Sequence, residues 1–435
     1  MPFKHHRSET GKPAPIRRRS FNNILLASIG SMIAPPLLAQ PKARVVVVGG
    51  GVAGASVAQK LGRSGGGIDV TLVEPNRRYT TPFFSNRALV DFKPLESFTH
   101  GYEKLAAVNN VRIVHDTVID GDPDKQSIRL ASGTDLAYDR LIVAPGTRLI
   151  TEQIDGYGPE SELIFPHAYN GSSSGQWTLL RQQVQNMKDG GLVVITAPRR
   201  PYKCTPAPYE RASLIAGYLH QHKPKSKLLV LDSKVEFPLM DAMIEIWDEK
   251  FGELIEWVSA DFGGAIDGVN NEARSILADG ETIAPDVCNI IPPQRAGTIA
   301  QQLDLADEHG WCPVNPLTFE STRQENIHVL GDAIDAGDMP KAASAAHQHA
   351  LASAVAIKNI LSGSSDPFPN LENACYFLTG PGQALVVGGR YRIDGGRIIG
   401  IEGYSSDLGE SAEDRQKTAR DADQWYTDIV QAMFG

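Results

Sequence analysis

An α/β fold with two Rossmann-like units is predicted by three features of the 435-residue sequence. A β-branched strand runs into a glycine-rich turn at residues 44–54, a second apolar strand occupies residues 190–196, and a third closes on Gly331-Asp332. Hydrophobic residues at 42% and charged residues at 21% fit a globular chain long enough for two to three domains. The net charge is −9, with no basic block beyond the first twenty residues, which argues against nucleic acid as a partner. Cys204, Cys288, Cys312 and Cys375 form no CxxC or CxxCH, which excludes zinc ribbons, a c-type haem on this chain and a disulfide scaffold.

The N-terminus reads as an address. Arg17-Arg18-Arg19-Ser20-Phe21 precedes an uncharged apolar run, Ile24 to Ala39, that Pro35-Pro36 interrupts. A stable membrane span needs ~20 apolar residues, so the run is too short for one. Paired arginines before Ser-Phe suggest a twin-arginine export signal over residues 1–43, hence a periplasmic protein; a tail or retained anchor is the alternative. The first 42 residues hold seven Lys/Arg and one Glu, so the remainder is acidic, near −15.

The first unit opens at Arg44-Val45-Val46-Val47-Val48, a run apolar enough for a buried parallel strand. Gly49-Gly50-Gly51-Val52-Ala53-Gly54 follows and matches GxGxxG, and Ala55 to Leu61 reads as helix. Gly49 suits the tight turn, Gly51 lets backbone approach a pyrophosphate, and Gly54 permits helix–strand contact. The helix N-terminus offers amides to phosphates. Glu74 ends the next strand, 23 residues after Gly51, where an acid accepts ribose hydroxyls.

Two later segments favour FAD over nicotinamide at this site. Leu141-Ile142-Val143-Ala144-Pro145-Gly146-Thr147 resembles the strand-then-ATG segment of two-dinucleotide-domain flavoproteins, which brings in Gly146. Asn326-Ile327-His328-Val329-Leu330-Gly331-Asp332 resembles their second flavin fingerprint, whose Asp contacts the ribityl chain. In the second unit, Gly190 to Thr196 gives the strand, but the turn is Ala197-Pro198-Arg199-Arg200-Pro201, with no glycine for a pyrophosphate. NADH is therefore not the expected electron donor. His347 and His349, two apart, fall on different helix faces, which argues against a metal pair.

Spacing alone leaves six pairings of the four cysteines open, and all four also read as buried small hydrophobes. Tyr202-Lys203-Cys204-Thr205-Pro206-Ala207-Pro208-Tyr209-Glu210-Arg211-Ala212, Ile291-Pro292-Pro293-Gln294-Arg295-Ala296-Gly297, Gly310-Trp311-Cys312-Pro313-Val314 and Met339-Pro340-Lys341-Ala342-Ala343 change the picture. With Asn373-Ala374-Cys375-Tyr376 and Trp425-Tyr426, they resemble the flavoprotein subunit of flavocytochrome c, the sulfide dehydrogenase of sulfur bacteria, from about Arg44 to Gly435.

That resemblance implies a glutathione-reductase-like fold with a C-terminal α+β flavin and interface domain. It divides the chain into a first FAD part (44–150), a nucleotide-like domain without phosphate loop (151–300), a second FAD part (301–362) and the C-terminal domain (363–435). It implies a redox disulfide over the flavin, with Cys204 and Cys312 in its two matching contexts, and Cys288 and Cys375 structural. HS⁻ would attack by thiol–disulfide exchange, Glu210 would move protons, and electrons would pass to a c-type cytochrome, bound as a subunit or soluble. Pro340-Lys341 reads as a helix start whose lysine would stabilise charge on reduced flavin. For Glu210 a surface ion pair, and for Lys341 a solvated lysine, are the alternatives. Thr81-Pro82-Phe83-Phe84-Ser85-Asn86 departs from the family's T-C-Y-L-S-N: proline forms no thioether, so FAD should be non-covalent. Rival functions are a sulfide:quinone reductase and a non-enzymatic flavin-binding partner of a sulfur-oxidising complex.

Overall fold

Val45 to Val48 carry no polar side chain, so their strand belongs where both faces are covered. The computed structural model describes residues 42–65, 67–90, 92–170 and 174–435, and the expected export signal lies outside them apart from Lys42 and Ala43. Ala43–Val48 is the middle strand of a five-stranded parallel sheet ordered Ile327–Val329, Arg140–Val143, Ala43–Val48, Ile68–Val73, Val111–Val114. The helix Val52–Arg63 crosses from the first strand to the second and packs on the helix Ala343–Ser362. Its small buried faces, including Ala55 and Ala58 on one helix and Ala345 and Ala346 on the other, allow a close approach. Thus the strand and helix near residue 330 return to complete the first unit, as the separated flavin fingerprints require.

The second unit is a four-stranded parallel sheet ordered Ile255–Val258, Lys227–Asp232, Leu192–Ala197, Val287–Asn289. It has Rossmann-like topology with its ligand end closed. Asp232 ends the second strand and is fully buried. Its carboxylate accepts from the Tyr209 hydroxyl at 2.5 Å, the Trp257 indole at 3.0 Å and the Lys234 ammonium at 2.5 Å. Phe237 stacks on Tyr209 with centroids 3.8 Å apart. The acid that would read a ribose is therefore satisfied by the protein, beside a turn without glycine. We expect NADH to bleach the flavin at least about a hundredfold more slowly than sulfide, a gap of roughly 3 kcal/mol in barrier. Stopped-flow reduction by NADH at a comparable rate contradicts this.

The C-terminal part is an antiparallel meander, Leu371–Gly380, Gln383–Asp394 and Arg397–Ser405, followed by the helix Ala412–Phe434. Ser411 caps that helix, its hydroxyl accepting from the Asp414 amide at 3.1 Å, and Glu413 and Asp414 suit the dipole of its first turn. The helix buries Ile429, Met433 and Phe434 in the core of the first unit. Among the described residues no helix is long and apolar enough to cross a membrane.

Candidate active site

A cavity of about 570 Å³ runs from the glycine-rich turn to the start of the helix Ala207–His222. The turn's glycines play different parts. A Cβ on Gly54 would lie 1.8 Å from the Gly49 carbonyl oxygen, and Gly49 itself has φ +97°. Packing and conformation inside the protein explain both. Gly51 is different: a Cβ there would meet nothing nearer than 3.6 Å, yet Gly51 lines the cavity at the N-terminus of Val52–Arg63, where no side chain caps the helix amides. A free helix N-terminus beside open space is an anion cradle. Glu74 lines the same wall and also braces the turn. Its carboxylate accepts from the Gly50 amide at 2.8 Å and from the Asn76 amide and side chain at 2.9 and 2.8 Å.

Asp332 lines the opposite part of the cavity, and its Oδ1 is buried without a protein partner. Burial raises its pKa, while the ammoniums of Lys203 and Lys341 pull it down. An orphaned acceptor there fits a ligand hydroxyl, so the cradle at Gly51 and the acceptors Glu74 and Asp332 suit FAD. Gly146 lines the cavity with φ +61°. Pro82 and Phe83 also line it, placing a residue with no nucleophile on the wall. Acid or heat denaturation should therefore release all of the FAD into the supernatant. Flavin fluorescence that stays with the polypeptide on a denaturing gel would show a covalent link.

Cys204 sits at φ +52° in the turn before the helix Ala207–His222 and lines the cavity. Its amide donates to the Lys341 carbonyl at 2.7 Å, and its carbonyl accepts from the Tyr169 hydroxyl at 3.0 Å. Burial pushes the thiol pKa up, and the charges of Cys375, Glu210 and Asp332 add to that, opposed by Lys203. Glu210, one turn into the helix, is buried rather than paired at the surface. It accepts from the Leu378 amide at 3.0 Å and from Asn86 Nδ2 at 2.7 Å. Burial raises its pKa, so it holds a proton more readily than an exposed glutamate.

The structure gives Cys204 and Cys312, the two cysteines paired by the resemblance, different charged neighbours. Cys312 is fully buried among core residues, its amide bound to the Ala333 carbonyl at 2.9 Å. Burial pushes its thiol to about 12, and its charged neighbours are Lys341, Asp307 and Arg323. Those around Cys204 are instead Cys375, Glu210, Asp332 and Lys203. Lys341 stands between the two, with its carbonyl on the Cys204 amide and its charge on Cys312. Cys375 lies on the strand Leu371–Gly380, which the Glu210–Leu378 bond ties to the Cys204 helix. Burial pushes its thiol to about 11. Cys375, read from sequence as structural, is thus the thiol that shares an environment with Cys204.

Lys341 is also placed differently. The helix begins at Ala343, not at Pro340. The Lys341 ammonium donates to the Ile334 and Asp332 carbonyls at 2.6 and 3.0 Å and lies 3.6 Å from the Trp311 ring centre. Burial lowers its pKa to about 8. Arg211 and Asn86, not singled out from sequence, line the cavity, with Arg211 Nε donating to Asn86 Oδ1 at 3.1 Å. His347 contacts Ser56 and His349 packs on Phe319.

Family models match three stretches of the chain. These are the central region of the sulfide dehydrogenase [flavocytochrome c] flavoprotein chain over residues 177–292, the flavocytochrome c sulphide dehydrogenase flavin-binding region over 367–434, and pyridine nucleotide-disulphide oxidoreductase over 43–176. The mitochondrial sulfide:quinone oxidoreductase of Mus musculus is 26% identical over 321 residues, covering 70% of this chain and 68% of that protein. That of Dictyostelium discoideum is 24% identical over 305 residues, 66% of this chain and 65% of that protein. A sulfide dehydrogenase [flavocytochrome c] flavoprotein chain of Chlorobaculum thiosulfatiphilum is 56% identical over 43 residues, 10% of this chain and 90% of that sequence. The solved sulfide:quinone oxidoreductase of Aquifex aeolicus superposes with a TM-score of 0.70 at 16% identity, over 90% of this chain and 92% of that one, which shows a common fold. The cavity takes FAD and the protein is an oxidoreductase; with the central and C-terminal matches, the chain belongs to the flavoprotein-chain family of flavocytochrome c sulfide dehydrogenase.

Proposed function

We propose that the protein oxidises sulfide at Cys204 and passes the electrons, through FAD, to a c-type cytochrome. The observation that carries the chemistry is Cys204 on the cavity wall, with the Cys375 thiol and the buried Glu210 carboxyl as titratable neighbours. Cys204 and Cys375 are free thiols in this structure and, in this reading, close a disulfide in the resting enzyme. HS⁻ attacks the Cys204 sulfur, the S–S bond breaks, Cys204 carries a persulfide and Cys375 leaves as thiolate. Glu210, kept protonatable by burial, takes up the proton that the persulfide releases. Bound FAD supplies the acceptor for the electron pair released as the Cys375 thiolate closes on the outer sulfur of the persulfide, and that bond holds the oxidised sulfur. Asn86, which lines the cavity, donates to Glu210 Oε2, so the acid is held one side chain behind the wall.

The choice of acceptor rests on two sets of observations. The relatives named sulfide:quinone oxidoreductase favour a quinone. The C-terminal match and the exposed acidic face of the helix Ala412–Phe434, with Glu413, Asp414, Asp421 and Asp428, favour a basic electron-transfer protein. We take the cytochrome reading, with the export signal delivering the protein to the periplasm. Sulfide-reduced holoenzyme mixed with a soluble cytochrome c or with a short-chain quinone decides it: faster reoxidation by the cytochrome supports the proposal, and faster reoxidation by the quinone overturns it. Fractionation of the source cells, with the protein in the periplasmic extract, tests export.

A further inference from the structure

We propose that Lys203 is the cation that stabilises an anionic sulfur at Cys204 in this cavity. The inference rests on the reading of Cys204 as the sulfur that meets sulfide. Lys203 lines the cavity beside Cys204 and Asn170. Its ammonium donates to Asn170 Oδ1 at 2.8 Å and lies 5.9 Å from the Tyr169 ring centre. The backbone is pinned as well, with the Lys203 amide on Gln294 Oε1 at 3.2 Å and its carbonyl on the Tyr169 hydroxyl at 2.8 Å. One of three ammonium donors is thus used, and two remain for an anion in the cavity.

Other charges near Cys204 cannot serve as well. Glu210, Asp332 and Cys375 oppose a negative sulfur, and Tyr169 and Tyr202 are held neutral by burial. Arg211 is close, but its guanidinium already donates to Asn86, His167, Asn289 and Ala168. Lys341 directs its ammonium at the Ile334 and Asp332 carbonyls, on the Cys312 side. A half-buried point charge on the same cavity wall acts on a neighbouring thiolate, because solvent screens it less than at an open surface. In the proposed step the anion at Cys204 is the persulfide left after HS⁻ attack, and the same lysine stabilises the Cys204 thiolate of the fully reduced enzyme.

The test uses holoenzyme with full FAD occupancy, reduced with a phosphine under nitrogen. Iodoacetamide alkylation of Cys204 is followed by peptide mass spectrometry from about pH 6 to about pH 11, extended above the ordinary thiol range because burial pushes this thiol up. Lys203→Met should move the Cys204 titration up by about one pH unit and slow labelling near neutrality about tenfold. Lys203→Arg should stay within about twofold of the parent, since the charge is kept. A methionine variant that titrates like the parent, or an arginine variant that titrates like the methionine variant, overturns the proposal. Flavin bleaching by sulfide in the parent is scored separately. If sulfide fails to bleach it, the functional reading falls while the alkylation profile still decides the role of Lys203.

Discussion

Cys204→Ser and Cys375→Ser are expected to keep FAD and to lose sulfide-dependent flavin reduction by at least about a thousandfold, the order found when a reacting group is removed. Neither residue lies in the glycine-rich turn or the Asp332 fingerprint, so the yellow colour should survive. Each substitution leaves the other sulfur without a partner, and HS⁻ then finds no disulfide to attack. Cys312→Ser and Cys288→Ser are the controls. Both thiols are buried in cores, and a hydroxyl there costs roughly 1–2 kcal/mol of stability without touching the reaction. Flavin reduction per bound FAD, read by absorbance, separates the two classes. Loss of activity in Cys312→Ser with retention in Cys375→Ser would restore the pairing that the sequence first suggested.

Gly51→Ala is expected to weaken FAD binding about a hundredfold while leaving the apoprotein's melting temperature unchanged. A new Cβ meets no protein atom nearer than 3.6 Å, and the backbone there, φ −72°, suits alanine. It enters the space where the helix amides face the cavity, so the cost falls on the ligand. A lost close approach of roughly 3 kcal/mol corresponds to that hundredfold. Gly54→Ala should behave differently. Its Cβ would lie 1.8 Å from a backbone oxygen, so the strand or helix must move, and stability and FAD affinity fall together. Fluorescence titration of apoprotein with FAD, alongside thermal melts, reads both. If Gly51→Ala binds FAD as tightly as the parent, the pyrophosphate does not sit at this turn.

The parts of the site legible in the sequence are those built by local backbone. The turn at Gly49 to Gly54, the acid at Glu74 and the Gly331-Asp332 fingerprint each combine a strand with a short signal, and each lines the cavity as expected. Cys375 was not legible, because its nearness to Cys204 depends on how a C-terminal strand packs on a helix far earlier in the chain. Its marker, the Glu210–Leu378 bond, spans 168 residues. The helix start expected at Pro340-Lys341 falls two residues later for a related reason. Pro340 imitates a helix start, but the Lys341 carbonyl accepts the Cys204 amide instead of a helical one. Lys203 is not legible beside Cys204, since a place on a cavity wall and free donors do not show in a sequence. The second Rossmann-like unit shows the reverse case: a missing glycine signalled the lost ligand site, while the aromatic residues and Asp232 network that close it emerge only on folding.

The most direct measurement is the mass of the Cys204 peptide after a single turnover. Oxidised holoenzyme is mixed anaerobically with one equivalent of sulfide, quenched in acid with an alkylating agent, digested and analysed while flavin absorbance is followed in parallel. Cys204 should carry one added sulfur atom with Cys375 alkylated as a free thiol before the flavin bleaches, and the free Cys375 thiol should disappear, joined to the added sulfur, as the flavin takes up the two electrons. Flavin that bleaches while Cys204 gains no sulfur would contradict the account, for sulfide would then reduce the flavin without passing through the disulfide.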